Sequence, residues 1–331
     1  MKTQTLYRAS ALSGWLRGVL PAVLLSVMLF SCSSDNGHKW IPKRLTMVVF
    51  HPYCSMYALL QDDYNDIIAN IRTNRSQLVV QLLHLISENA ENYYLIETTV
   101  TAKGYRNDTL RRYRFSELDY TTLEGMKQIF SDVRSVQHGD SLALLIGSHG
   151  SGWIPLPEKP GVQPSSSPKK AFGSGNRFDH RHVAYFQTLT AALEANRMPL
   201  KFLLLDCRNS QNIVNAYNLR HITRWVIASP TEIPTDGMPY KTDFHRLLIG
   251  DYTGFGKAFV EHYRQKDEEA TCSVVDTEQF DDLIRVMRTI NAQYYEANIE
   301  RVSEEARNWE IRPLGGYTAI PPDFQDFQDY V

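Results

Sequence analysis

The chain has 331 residues, of which 43% are hydrophobic and 22% are charged, and its formal net charge at pH 7 is −2. These values are typical of a globular protein, and they exclude disordered, collagenous and coiled-coil chains. Recognition of nucleic acid needs a strongly basic surface, so we expect no nucleic-acid partner. The four cysteines, Cys32, Cys54, Cys207 and Cys272, are too few and too far apart for a disulfide framework or a paired-cysteine metal site.

The amino-terminal segment has the pattern of an export signal. Its charges before Asp35 are all basic, and an apolar run over residues 19–30 follows them. This run is shorter than the ~20 residues that a membrane-spanning helix needs. The sequence Leu29-Phe30-Ser31-Cys32 then resembles a bacterial lipoprotein box, which implies that residues 1–31 are a signal peptide and that Cys32 becomes lipidated. A plain secretory signal with an incidental cysteine is the alternative.

Residues 32–43 are expected to be a polar tether between the lipid anchor and a folded domain over 44–331. Removal of residues 1–31 takes away three basic and no acidic residues, so the mature chain carries a net charge of −5. A chain of this size can build a core without disulfides. We therefore expect an exported protein that is held at a bacterial membrane, in the cell envelope, through Cys32.

Short apolar runs alternate with segments of helical periodicity along the rest of the chain. The runs at 45–50, 93–96, 142–147, 202–205 and 225–228 are typical of strands buried on both faces. The segments at 56–86, 121–136, 180–195, 211–219, 244–263 and 278–306 carry apolar residues every three or four positions and predict helices. This alternation predicts an α/β fold with a mainly parallel sheet between helices.

Two strand ends carry the side chains of a candidate site, because ligands of open α/β sheets bind beyond the carboxyl ends of the strands. His149 lies in a Gly-rich segment after one run, and Asp206 and Cys207 follow another. A cysteine peptidase needs such a pair, since a neighbouring imidazole holds the thiolate and later protonates the leaving amine. Spacing alone is a weak signal, because a turn histidine and a strand-end cysteine are also common as structural residues.

The segment over 144–153, Leu-Leu-Ile-Gly-Ser-His-Gly-Ser-Gly-Trp, resembles the histidine motif of the clostripain family of cysteine peptidases. That motif is a hydrophobic strand followed by His-Gly-x-Gly-Trp. Further segments follow the family's pattern at 171–173, 203–206, 212–213, 216–219, 228–234, 237–240 and 272–276, and the strand at 45–50 and the ending at 315–321 also have counterparts. The resemblance covers nearly the whole mature chain, and it implies a caspase-like αβα sandwich with a mainly parallel central sheet.

The resemblance also implies site roles, in an endopeptidase that cleaves peptide or protein substrates after Arg or Lys. His149 would be the general acid/base, and the backbone amide of Gly150 would donate to the oxyanion. Asp206 would be the acid at the base of the specificity pocket, where a guanidinium can pair with it, and Trp153 would help to bind substrate. Cys207 is the candidate nucleophile. We expect no cofactor: members of the family can require calcium, but no acidic cluster here has the spacing of a calcium loop.

The nucleophile segment departs from the family's pattern. The family has Asp-Ala-Cys, whereas this chain has Asp206-Cys207-Arg208, and the flanking segments align without a gap. Arg208 therefore occupies the nucleophile's position, and Cys207 lies one residue early, where extended backbone turns its thiol to the opposite face.

Two interpretations stay open. Either the turn after Asp206 is rearranged and Cys207 still reaches His149, or the protein is a catalytically inactive pseudopeptidase that binds a peptide or protein partner at the cell envelope. For the second case we predict that Arg208 folds back onto Asp206 and fills the pocket meant for a substrate arginine. The alternative is that Arg208 points to solvent.

Overall fold

An eight-stranded sheet forms the centre of the molecule. The computed structural model describes residues 44–76, 79–150, 171–172, 183–234, 236–305, 308–309 and 324–325. The strands of the sheet are β1 (Leu45–His51), β2 (Val80–Ser87), β3 (Asn92–Val100), β4 (Tyr105–Arg114), β5 (Ser141–Gly147), β8 (Leu200–Asp206), β9 (Trp225–Ala228) and β10 (Ser273–Asp276). Two short pairs lie apart from it, β6 (Ala171–Phe172) with β7 (Ala184–Tyr185) and β11 (Asn308–Trp309) with β12 (Phe324–Gln325).

The order across the sheet is β10-β9-β8-β5-β1-β2-β3-β4. The five inner strands from β9 to β2 run parallel, and antiparallel strands close both edges, β10 on one side and the β3–β4 hairpin on the other. The helices are α1 (Tyr57–Asn74), α2 (Leu123–Val136), α3 (Phe186–Ala195), α4 (Ile213–Leu219), α5 (Tyr240–Ile249), α6 (Tyr252–Arg264) and α7 (Phe280–Glu305). Among the described residues, none of these helices is long and apolar enough to cross a membrane.

Each face of the sheet packs against its own layer of helices. Side chains alternate between the faces along every strand, so Leu203, Leu205 and Cys207 lie in the core beneath α2 and α3. Phe202 and Leu204 lie in the opposite core, which contains the apolar faces of α1, α5 and α6. This three-layer arrangement confirms the α/β sandwich with a mainly parallel sheet, and it gives Asp206 and Cys207 opposite directions.

Two of the predicted helices were wrong in part. The segment at 56–86 contains α1 followed by the buried strand β2. The sequence pattern did not predict this strand, because Gln81 and His84 are polar although the strand is fully covered. Gln81 Oε1 accepts from the hydroxyl of Thr46 at 2.8 Å, and His84 Nε2 lies 3.0 Å from Nδ1 of His51, so both side chains are buried with partners.

The segment at 244–263 contains two helices, α5 and α6. Gly250 ends α5 with a φ of +89°, in the left-handed region, and its N–H donates to the carbonyl of Leu247 at 3.2 Å. Glycine is the residue that adopts this conformation without a side-chain clash. Gly250 therefore ends the helix, although the spacing of apolar residues continues past it in the sequence.

Candidate functional site

The two sequence motifs meet at the carboxyl ends of neighbouring parallel strands. Gly147, the last residue of β5, pairs with Asp206, the last residue of β8. The N–H of Ser148 then donates to the carbonyl of Asp206 at 3.1 Å. The segments that begin at Ser148 and Cys207 therefore leave the sheet side by side, as the sequence predicts.

His149 lies next to the start of α1, where its Nε2 is 3.0 Å from Oγ of Ser55. The ring is half-buried, and burial followed by the nearby guanidinium of Arg208 lowers its pKa. Both effects oppose the imidazolium form. His149 is therefore a neutral base at pH 7, with a hydroxyl as its hydrogen-bond partner.

Gly150 is packed tightly against the turn after β8. A Cβ atom at this position would lie 2.6 Å from the carbonyl oxygen of Arg208 and 3.1 Å from Cβ of Cys207. Its own carbonyl accepts from Nε of Arg208 at 3.4 Å. Only glycine fits this close approach, and the approach fixes the strand ends relative to each other.

Cys207 points into the core. The side chain is 1% exposed, belongs to the cluster beneath α2 and α3, and places Sγ 3.5 Å from the carbonyl oxygen of Ile146. Burial, followed by the charge of Asp206, raises the pKa of the thiol well above its ordinary value. No hydrogen bond joins the described side chains of Cys207 and His149, and the thiol has the carbonyl of Ile146 as its partner instead.

Arg208 is the residue after β8 that faces His149. Its Nη1 lies 3.5 Å from Oε1 of Glu232, its Nε donates to Gly150, and its charge helps to lower the pKa of His149. The predicted contact between Arg208 and Asp206 is wrong, because the guanidinium takes Glu232 as its acidic partner. Arg208 does not simply point to solvent either, since these contacts hold it across the site.

Asp206 lies on the opposite face of the sheet from Cys207, in a group with Tyr240 and Asp63. The hydroxyl of Tyr240 donates to Oδ2 of Asp206 at 2.7 Å. Burial raises the pKa of Asp206 to about 6, and this hydrogen bond partly opposes the rise. Burial, then the charges of Asp206 and two further aspartates, raises the pKa of Asp63 to about 8. The two carboxyls are therefore coupled, and the charge of one makes the ionisation of the other harder.

Gly237 allows Asp63 to approach the loop before α5. Its φ is +68°, and a Cβ there would lie 3.0 Å from Oδ1 of Asp63. The carbonyl of Gly237 accepts from the hydroxyl of Tyr263 at 2.6 Å, which ties the loop to α6. A side chain at position 237 would be strained and would also collide with the carboxylate.

The site thus combines predicted and unpredicted residues. His149, Gly150 and Asp206 lie at adjoining strand ends, whereas Trp153 and Cys32 lie outside the described residues. Sequence reasoning missed Ser55, Asp63, Glu232 and Tyr240 as members of the site. Glu232 and Tyr240 fall within segments that follow the family's pattern, and this position could have marked them as site residues. Asp63 has no such mark in the sequence, where it is one of several acidic residues on a helix.

No group of three or more His, Cys, Asp or Glu side chains within the described ranges has a geometry that could hold a metal ion. Asp63 and Asp206 supply two carboxylates, fewer than the six to eight oxygen ligands that calcium takes. The described residues therefore do not fit a calcium site.

The comparisons agree with this architecture. The family model of the clostripain family matches residues 55–312. A secreted C11 cysteine protease from Bacteroides thetaiotaomicron, named iotapain, has a structure with a TM-score of 0.66 and 24% identity, over 76% of this chain and 71% of that chain. An inactive zymogen C11 protease from Parabacteroides distasonis has a TM-score of 0.65 and 24% identity, over 88% and 78% of the two chains. A search among curated proteins found no match.

This chain belongs to the clostripain family, and its fold is the caspase-like αβα sandwich of the C11 proteases. The family works on peptide or protein substrates.

Proposed function

We propose that this protein is a lipid-anchored pseudopeptidase, which binds peptides or proteins carrying an exposed Arg or Lys and does not hydrolyse them. The proposal rests on the directions of the two side chains that follow Asp206 at the end of β8. The residue that faces His149 is Arg208, while the thiol of Cys207 is buried on the other side of the strand.

The protonation states support a lack of hydrolysis. A cysteine peptidase attacks with a thiolate, and its histidine carries the compensating positive charge. Here burial raises the pKa of Cys207, and burial together with Arg208 lowers that of His149. Both shifts favour the neutral forms, so an ion pair between these two side chains is disfavoured.

The acidic group supports retention of ligand binding. By the resemblance Asp206 matches the family's pocket acid, and Asp63 adds a second carboxyl near it. The hydroxyl of Tyr240 satisfies one oxygen of Asp206 and leaves the other available. Among the described residues no cation pairs with either carboxylate, since Arg208 takes Glu232 instead. A guanidinium or ammonium from a bound peptide would supply the missing charge.

The alternative is an active endopeptidase that uses Cys207, with the turn rearranged by substrate. An Arg-directed peptide electrophile distinguishes the two proposals when it is incubated with the folded mature chain and analysed by mass spectrometry. We expect no adduct on Cys207 and no cleavage of Arg- or Lys-terminated reporter peptides. An adduct on Cys207 would support the endopeptidase and overturn the pseudopeptidase.

Binding is measured with a fluorescent peptide that contains arginine and with the same peptide carrying citrulline, which has nearly the same shape without the charge. We expect the arginine peptide to bind at least about tenfold more tightly at pH 8, the effect of one favourable charge pair. The difference should shrink below pH 6, where both aspartates are protonated. Equal affinity for the two peptides would contradict a role for the acidic pocket.

A further inference from the structure

A second cleft lies between α1 and the β3–β4 hairpin, and its lining does not include His149, Asp206 or Arg208. Its volume is about 340 Å³, within the range of small-molecule pockets. Tyr57, Gln61 and Asn65 of α1 form one wall, and Tyr94 and Tyr105 of the hairpin contribute to the other. We call this cleft the tyrosine groove.

The floor of the tyrosine groove is preformed. Tyr64 stacks on His84 with 3.7 Å between the ring centroids, and His84 is held by its contact with His51. The hydroxyl of Tyr64 lies 2.7 Å from Oγ1 of Thr98, which in turn donates to Oδ1 of Asn107 at 2.7 Å. This chain of hydrogen bonds fixes the amide of Asn107 at the rim and leaves its NH₂ group as the remaining donor.

Exposed aromatic rings and amides dominate the remaining surface. Tyr57 is 38% exposed and Tyr105 is 51% exposed, although both belong to a concave site. Gln61 has a buried Nε2 atom that finds no acceptor among the described residues. This atom is closed off from solvent, so the amide must turn toward the groove to donate to a ligand, and the hydrogen bond that it then forms removes the cost of a buried donor without a partner.

The charges in the tyrosine groove cancel. Glu88 accepts from the hydroxyl of Tyr94 at 3.1 Å, and the guanidinium of Arg112 lies 5.7 Å from the centre of the same ring. These two side chains are the charged members of the lining and have opposite signs. A nucleotide or other phosphorylated ligand would need several cations, and an apolar ligand would leave the amides unsatisfied.

We propose that the tyrosine groove binds a neutral oligosaccharide, of about disaccharide length within the cleft, at a site separate from the peptide pocket. A pyranose ring presents a face of C–H groups that packs on tyrosine rings, and a rim of hydroxyls that both donate and accept. Gln61 and Asn107 donate to such hydroxyls, while Glu88 and Arg112 offer an acceptor and a donor at the end near Tyr94.

The test uses the folded mature chain with a panel of cellobiose, maltose, mannobiose, chitobiose, lactose and one uronic-acid disaccharide. Saturation-transfer NMR identifies binders, and calorimetry gives their affinities. We expect at least one neutral disaccharide to bind, and we expect Tyr105→Ala and Gln61→Leu each to weaken it at least about tenfold. Tyr294→Ala removes a tyrosine of similar exposure from α7 and should leave binding unchanged.

Thermal unfolding separates binding from folding in these variants. Gln61→Leu removes an unsatisfied donor, so it should keep or raise the melting temperature while it lowers affinity. The proposal is overturned if no neutral disaccharide binds, if only the uronic-acid sugar binds, or if the groove variants bind as the wild type does. Because the tyrosine groove is separate from Asp206, these outcomes leave the arginine-peptide experiment unaffected.

Discussion

At the scale of single residues, the position after Asp206 decides what the site can do. A shift of one residue in an extended segment reverses the face, so a cysteine at 207 and a cysteine at 208 have different surroundings. Cys207 is part of the core, and Arg208 lies between Gly150, Glu232 and the ring of His149. The side chain at 208 therefore controls whether a nucleophile faces the histidine.

Restoring the family's Asp-Ala-Cys segment should restore hydrolysis. In the double variant Cys207→Ala/Arg208→Cys a thiol takes the place of the guanidinium beside His149, and the loss of Arg208 also raises the pKa of that ring. We expect cleavage of an Arg-terminated reporter at least about 100-fold above the wild-type background, the contribution of an imidazole acting on a positioned nucleophile.

The controls for this experiment are Cys207→Ala alone, which should stay inactive, and the double variant with His149→Ala, which should lose the gained activity. A double variant that folds, binds the arginine peptide and yet labels no faster than the wild type would contradict the role assigned to position 208.

Asp63 should make stability depend on pH. Its pKa is raised to about 8 in the folded state, against about 4 in an unfolded chain, so the folded protein binds more protons between these values. Stability contributed by the protonated carboxyl is present at low pH and is lost as the pH rises through this window. We expect Asp63→Asn to make the free energy of unfolding depend less on pH. Between pH 5 and pH 8 the free energy of unfolding of this variant should rise by roughly 1–3 kcal/mol relative to that of the wild type.

Denaturant unfolding at several pH values measures this effect. Asp62→Asn is the comparison variant, because Asp62 is exposed on the same helix and its charge is the smallest of the contributions that raise the pKa of Asp63, so its substitution should change the pH dependence much less. If the free energy of unfolding changes with pH in the same way in the Asp63 and Asp62 variants, Asp63 keeps an ordinary carboxyl environment.

At the scale of elements, periodicity located five of the eight described strands of the central sheet, and it missed β2, β4 and β10. Continuous apolar runs predicted β1, β5, β8 and β9, because strands covered on both faces leave little room for polar residues. The strand β2 was missed, since its polar side chains are satisfied by partners far away in the chain, such as Gln81 by Thr46. Such pairings depend on tertiary structure, which a local pattern cannot show.

Gly250 separates α5 from α6, and its substitution tests this boundary. Open space surrounds the position of a Cβ atom there, so the cost of Gly250→Ala comes from the left-handed backbone alone. We expect a loss of about 1 kcal/mol in the free energy of unfolding, and a smaller loss for Gly250→Asn, because asparagine tolerates this conformation better. Equal losses from the two substitutions would mean that a contact, and not the backbone conformation, sets the cost.

At the scale of the whole molecule, the sequence predicted the sandwich and the edge of the sheet that carries the site. The motif after β5 and the acid that ends β8 indicated two neighbouring strand ends, and the register of Gly147 with Asp206 agrees. The direction of each side chain and the grouping of Asp63 with Tyr240 and Asp206 depend on how helices pack on the sheet. Contacts between residues this far apart in the chain leave no local signature, so the sequence did not reveal them.

The proposed lipid anchor would hold the whole molecule at a membrane, and substitution of Cys32 tests this proposal. We expect the wild-type protein, expressed with its own amino-terminal segment in a bacterial host, to fractionate with membranes, since two or more acyl chains give stable anchoring. Cys32→Ser should move at least about 90% of the protein to the soluble fraction, because membrane binding without acyl chains is weak and reversible. Cys272→Ser, which changes a half-buried cysteine of the folded domain, should stay with the membranes. A Cys32→Ser variant that still fractionates with membranes would mean that another part of the chain, or a bound partner, holds the protein there.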